Sequence, residues 1–219
     1  MDEQSARPRI DRDRILDVAE RITREEGLGK LTLRRIGTEI GADPTAIYRH
    51  FRNKQELLVQ LAERLFGRVT ALDPSRPWRE RMHALIREGL DRFRSHVDIA
   101  LLLAKAGDEI PGLRLITETS LAMLDEVGLT PEQAAHWYQV IENHVVGTGV
   151  YYAVLEQLPE PRLDNLDGVR RAAALLPAGE FPRTRDAAPY LFPDLDQAFD
   201  TGTDAILDAI ERLGGQPAA

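Results

Sequence analysis

Apolar residues in this chain recur at three- and four-residue steps almost from end to end, and no segment shows the alternation of period two that a half-buried strand requires. A chain with that single periodicity can bury its apolar faces only by packing helix against helix, so the expected fold is all-α. With 219 residues, 43% of them hydrophobic, there is material for one large or two small domains around a sizeable core. No stretch approaches the roughly 20 apolar residues of a membrane helix, and the polar start Met1–Ser5 leads into no apolar signal-peptide run. The expectation is a cytoplasmic protein with no membrane partner. Cysteine is absent, which removes disulfides, thiolate zinc sites and thiol catalysis.

The net charge of −8 argues against a polyanionic partner when taken as a whole. Its distribution says otherwise. Residues 1–68 carry 14 Lys/Arg against 12 Asp/Glu, whereas residues 69–219 carry 14 against 24. A small, slightly basic head therefore precedes an acidic body, and Asp73-Pro74-Ser75-Arg76-Pro77 interrupts the helical pattern between them. The expected division is a head at 1–55, linked through a fourth helix at about 54–70 to a body at 71–219.

Within the head, the pattern predicts a first helix from about Ile10 to Gly27, a second over Leu33–Ile40 capped by Thr32, and a third from Pro44 through Phe51. Asp43 caps the third helix, Pro44 suits its first turn, and Asn53 caps the fourth, which runs to about Val69. The body reads as helices at about 77–96, 98–107, 110–127 and 131–157. Next comes a proline-rich connection at 158–193 with one short helix near Asp167–Leu176, then a final helix at about 194–213.

Two short helices joined by a three-residue turn containing Gly41 have the helix-turn-helix layout, in which the later helix enters the major groove. An ordinary helical hairpin would share that geometry. The composition of the third helix favours the former. Ile47 and Phe51, four apart, suit burial, while Thr45, Ala46, Tyr48, Arg49 and His50 look outward. Tyrosine and histidine can donate to phosphate, arginine can pair with guanine, and small side chains can meet a thymine methyl. Lys54 at the start of the fourth helix, and Arg34 and Arg35 at the start of the second, add cations beside backbone amides that already favour phosphate.

Thr32-Leu33-Arg34-Arg35-Ile36-Gly37-Thr38-Glu39-Ile40-Gly41 and Ile47-Tyr48-Arg49-His50-Phe51-Arg52-Asn53-Lys54-Gln55-Glu56-Leu57-Leu58 resemble the second helix, turn, recognition helix and fourth-helix start of the tetracycline-repressor (TetR) family of transcription regulators. The likeness covers about residues 10–70. It implies that Tyr48, His50 and Lys54 anchor phosphates and that Arg34, Pro44, Thr45 and Ala46 lie nearest base edges; Thr32, Arg35 and Arg49 complete the candidate DNA contacts.

In that family the body pairs two subunits and senses a small molecule. For pairing, Val146, Gly149, Val150 and Ala153 on the 131–157 helix and Phe199, Ala205, Ile206, Ala209 and Ile210 on the last helix would permit a close four-helix interface; intramolecular core is the other reading. For sensing, Leu101 and Leu102 with Trp137, Tyr138, Ile141, His144 and Tyr151 could line an apolar cavity with a few polar groups, or fill the core themselves. The body also resembles the tetracycline-repressor branch, which grips a drug–magnesium chelate partly through a histidine on its short sixth helix. Here Ile99–Lys105 holds no histidine or carboxylate. The expected effector is therefore an apolar or aromatic organic molecule, with no metal and no cofactor.

Hydrolase, nucleotide-binding and metalloprotease signatures are absent. The resulting expectation is a homodimeric regulator, a repressor, that leaves palindromic operator DNA when a ligand binds the body. A DNA-bound regulator without small-molecule input, and an enzyme with an unfamiliar all-α site, remain open at this point.

Overall fold

The computed structural model describes residues 10–66, 72–96, 110–156, 166–191 and 194–215. Among these residues every regular element is helical, and no helix is long and apolar enough to cross a membrane. The chain divides into two compact units, one of residues 1–72 with 95–118 and one of residues 73–94 with 119–219. The short stretch 95–118 thus joins the first unit, although the sequence pattern groups it with the body.

Four helices build the head: α1 (Arg12–Glu26), α2 (Leu33–Ile40), α3 (Pro44–Tyr48) and α4 (Lys54–Phe66). Asp11 starts α1 by accepting the Arg14 N–H, and Ile15, Leu16, Ala19 and Ile22 form its buried stripe. Ile36 from α2, Ile47 from α3, Phe51 from the following turn and Leu57 and Leu61 from α4 are fully buried in the same unit. At roughly 1.5–3 kcal/mol for each such side chain taken from water, this core is what holds helices too short to be stable alone. Outside it, Arg64 pairs with Asp17, and Arg21 and Glu39 link α1 to α2 at 2.7 Å.

The later helices are α5 (Trp78–Ser95), α6 (Pro111–Glu126), α7 (Pro131–Glu156), α8 (Leu166–Ala174), α9 (Pro182–Ala187) and α10 (Leu195–Gly214). Most of them match the expected helices within a residue or two. The proline-rich connection differs, since it holds α9 and a 3-10 turn at Ala188–Tyr190 in addition to α8. Pro182 and Pro189 each occupy a first-turn position, where a missing N–H is no loss, so proline opens these helices instead of breaking them. The expected helix at 98–107, with Leu101 and Leu102, lies outside the described residues.

Glycines bring the long helices of the second unit together. A Cβ on Gly149 of α7 would stand 2.6 Å from the Phe93 Cβ of α5, and one on Gly202 of α10 would stand 2.8 Å from the His144 ring of α7. Between α5 and α10 lies a charged cluster: Asp196 accepts from Arg87 at 3.0 Å, from Arg94 at 3.1 Å and from the Tyr152 hydroxyl at 3.3 Å, and Arg87 also pairs with Asp200. Burial, together with Asp196, pushes the Tyr152 hydroxyl up to about 12. For Asp196 itself burial opposes ionisation, but the two guanidiniums prevail and hold its carboxyl below the usual range.

Candidate nucleic-acid interface

Thr32 accepts the Arg35 N–H at 3.0 Å and so fixes where α2 begins. At the other end Gly41 sits in the left-handed region at φ 72°, its N–H reaching Thr38 at 3.2 Å while the Ala42 N–H reaches Gly37 at 2.8 Å. This double closure satisfies the last carbonyls and needs a residue without a Cβ penalty. Two residues on, Asp43 accepts both the Thr45 N–H at 2.8 Å and the Thr45 hydroxyl at 2.5 Å, and Pro44 opens α3. Those two hydrogen bonds hold the Asp43 carboxyl below its ordinary value.

The third helix stops at Tyr48, three residues before the expected end. His50 donates to the Ile47 carbonyl at 3.0 Å, an i to i−3 bond, and Phe51 shares the same acceptor at 3.0 Å. Arg49 and His50 therefore sit in a turn, not on the helix. Phe51 still completes the buried face, because its amide keeps the i to i−4 bond.

Of the expected contacts, the structure brings Thr45, Tyr48 and Arg49 to one exposed stretch, with Ala46 and His50 half-buried beside them. Tyr48 is 53% exposed, an unusual state for a phenol ring within a well-packed unit. Arg34 is exposed on α2, as is the capping residue Thr32. The side chain of Pro44 lies outside what is described.

Two cations are placed differently from the sequence reading. Arg35 pairs with Glu39 and, at 3.0 Å, with Glu26, so its guanidinium ties α2 to α1. The bonds to Glu26 and Glu39 raise its pKa. Lys54 directs its ammonium to the Leu28 carbonyl at 3.3 Å, closing the 3-10 turn between α1 and α2. Spacing along a helix reports the face a side chain leaves from, but not which acid or carbonyl of another segment meets it there.

The effector and dimer candidates differ widely in burial. His144 is half-buried and bonded through Nε2 to the Phe199 carbonyl and the Thr203 hydroxyl, both at 3.2 Å, with its ring stacked on Phe199 at 4.4 Å. Because a carbonyl only accepts, Nε2 carries the proton in the neutral ring. Burial pushes this imidazole's pKa down. Phe199 and Ile210 are 2% and 0% exposed within the single chain, so they belong to intramolecular core and cannot form a subunit surface without rearrangement. Gly149 is likewise buried against Phe93.

Val146, Val150, Ile206 and Ala209 are half-buried and Ala205 is exposed, while the Ala153 side chain is not described. Ile141 is buried, Trp137 and Tyr138 are half-buried, and Tyr151 is 45% exposed. Sequence reasoning overlooked Leu175 and Tyr190, which are 83% and 80% exposed. Leu175 directly follows the end of α8, and Tyr190 closes the 3-10 turn that holds Pro189.

Residues 15–61 match the family model described as bacterial regulatory proteins, tetR family, and residues 71–213 match the one described as tetracyclin repressor-like, C-terminal domain. The HTH-type transcriptional repressor DrrR1 of Streptomyces coeruleorubidus is 27% identical in an alignment covering 96% of this chain and 80% of that protein. Among solved structures, the transcriptional regulator SCO7222, a TetR from Streptomyces coelicolor, superposes with a TM-score of 0.82 at 23% identity, over 94% of this chain and all (100%) of that one. The Streptomyces coelicolor TetR family protein ActR in complex with actinorhodin gives a TM-score of 0.77 at 25% identity, covering 95% of this chain and 100% of its own. Two short helices fixed by Thr32, Gly41 and Asp43, an outward tyrosine and a larger helical domain after them are thus parts of one chain that belongs to the tetR family of bacterial regulatory proteins.

Proposed function

We propose that this protein is a cytoplasmic, ligand-responsive repressor that binds a palindromic operator as a homodimer. The observation that carries the DNA reading is Tyr48, held outward at the end of a five-residue helix whose start is set by Asp43 and whose inner face is closed by Ile47 and Phe51. Thr45, Tyr48 and Arg49 would meet the duplex, with Arg34 contributing from α2. Arg35 and Lys54 support the frame through Glu26, Glu39 and Leu28, and serve as phosphate contacts only if those bonds exchange.

A small apolar or aromatic molecule is the effector class that the second domain suits, and ActR, with actinorhodin in its structure, supports that class by likeness. Trp137, Tyr138, Ile141 and Tyr151 remain the side chains on α7 proposed to meet it. Pairing is proposed through the outer faces of α7 and α10, where Val146, Val150, Ala205, Ile206 and Ala209 keep exposed area. A ligand in the second domain would change how the two heads of a dimer are spaced, so ligand and operator must weaken each other reciprocally.

The test is a gel-shift titration of purified protein against the DNA upstream of its own gene, run at several salt concentrations. A specific band whose affinity falls log-linearly with salt is expected. Its absence at every salt concentration would overturn the reading. A thermal-shift screen of aromatic compounds addresses the effector, since a molecule that binds only the folded state raises apparent stability.

A further inference from the structure

Glu56 has the wrong sign for a surface that approaches phosphates, yet three groups of the head converge on it. Its Oε2 accepts the Arg52 N–H at 2.9 Å, and its own N–H is taken by Asn53 Oδ1 at 2.8 Å. Its Oε1 meets the Arg12 guanidinium at 3.1 Å, and that guanidinium lies 4.8 Å from the centre of the Phe51 ring. One carboxylate therefore joins the start of α1, the turn of residues 49–53 and the start of α4. That turn carries Arg49 and His50 and follows α3 directly.

A five-residue helix has no rigidity of its own, so its direction depends on what is fixed at its two ends. Asp43 fixes the start of α3. At the exit the backbone must turn back into α4, and the Arg52 N–H lies one residue ahead of the capping Asn53, where no carbonyl of α4 is placed to accept it. Glu56 supplies that partner. The Arg12–Glu56 pair has side chains 50% and 34% exposed and contributes little by itself. Charge alone makes the opposite demand, because removing an acid from a head that binds DNA should strengthen binding to any duplex.

We propose that Glu56 is a positioning residue for DNA recognition: its carboxylate sets the exit turn of α3 through the Arg52 N–H, and this geometric effect outweighs its repulsion of phosphate. The inference rests on the DNA-binding reading above. It makes a carboxylate a net contributor to recognition of a polyanion.

The experiment uses the full chain as wild type, Glu56→Gln and Glu56→Ala, each monitored by thermal melting. Each is titrated by fluorescence anisotropy against two duplexes, one selected by the wild type from a random-sequence pool and one a scramble of equal length. Glu56→Ala should lose about tenfold in affinity for the selected duplex, the scale of one lost cap, without weakening on the scramble. Glu56→Gln keeps an oxygen for the Arg52 N–H and should stay near the wild type on the selected duplex. Tighter binding of both variants to both duplexes would overturn the proposal, since charge alone would then rule. Equal loss in Gln and Ala would overturn it as well. Where Glu56→Ala fails to fold, Glu56→Gln decides: near-wild-type selectivity supports the proposal, and lost selectivity ends it. A wild type that selects no sequence from the pool overturns the DNA-binding reading itself and the inference with it.

Discussion

Between Thr32 and Glu56, caps made by residues two to four positions apart decide where each helix starts and where the chain turns, whereas in the second unit α5 and α10 are joined by Arg–Asp contacts between residues 102 to 129 positions apart. The first kind of order is local and polar, around a small core. The second is long-range, with Gly149 of α7 against the Phe93 ring of α5 and Gly202 of α10 against the His144 ring of α7. A head of the first kind keeps its reading surface defined by short-range geometry. A domain of the second kind owes its shape to side chains from distant helices, and a change at one of them is felt by another.

The sharpest break of that comparison is Phe51→Ala. Emptying a fully buried site in so small a core should cost about 3–5 kcal/mol in chemical denaturation, which the local caps cannot replace. A loss below about 1 kcal/mol would mean that the caps alone sustain the head. Next comes Gly149→Val, whose new side chain collides with Phe93; overpacking of this kind costs about 1–3 kcal/mol. The double variant with Phe93→Ala should recover part of that loss, and a simply additive result would show that the two residues do not share the contact.

Tyr48→Ala tests surface against core. Because the ring is 53% exposed, stability should move by no more than about 0.5 kcal/mol, while affinity for a selected duplex falls about tenfold, and unchanged affinity would remove Tyr48 from the reading surface.

The smallest expected effect is a pH dependence in the second unit. Burial holds the His144 pKa below its ordinary 6.5, so the unfolded chain takes up this proton before the folded one does. Stability should therefore be unaffected by this group above 6.5 and decline as pH falls through 6.5 toward the lower folded value. His144→Gln, which can still donate to the Phe199 carbonyl, should flatten that limb; an unchanged slope would assign it to other groups.

The same contrast explains what was legible in the sequence. Thr32, Gly41, Asp43 with Pro44, and Asn53 announce the head's helices because each acts on a neighbour a few residues away. Tyr48 could be read as outward because Ile47 and Phe51 claim the inner face. The intrachain partners of Arg35 and Lys54 could not be read, because Glu26 and Leu28 approach them from another segment. Phe199 and Ile210 suit a subunit interface and an intrachain core equally well by spacing, and only the packing of α10 separates the two. Helix α9 was hidden because a run of prolines signals a connection unless one of them falls on a first turn.

The Asp43–Thr45 turn has a bearing on information as well as on shape. Its carboxylate takes both the amide and the hydroxyl proton of Thr45, so this exposed side chain has no hydrogen left to give away. What it can show to the outside is a methyl group and an oxygen lone pair. In a major groove that vocabulary suits a thymine methyl or the amino group of adenine or cytosine, and offers nothing to the paired acceptors of guanine. Where position 45 meets a base edge as proposed, it would discriminate among bases by what it cannot donate, and a single carboxylate inside the turn would set that limit.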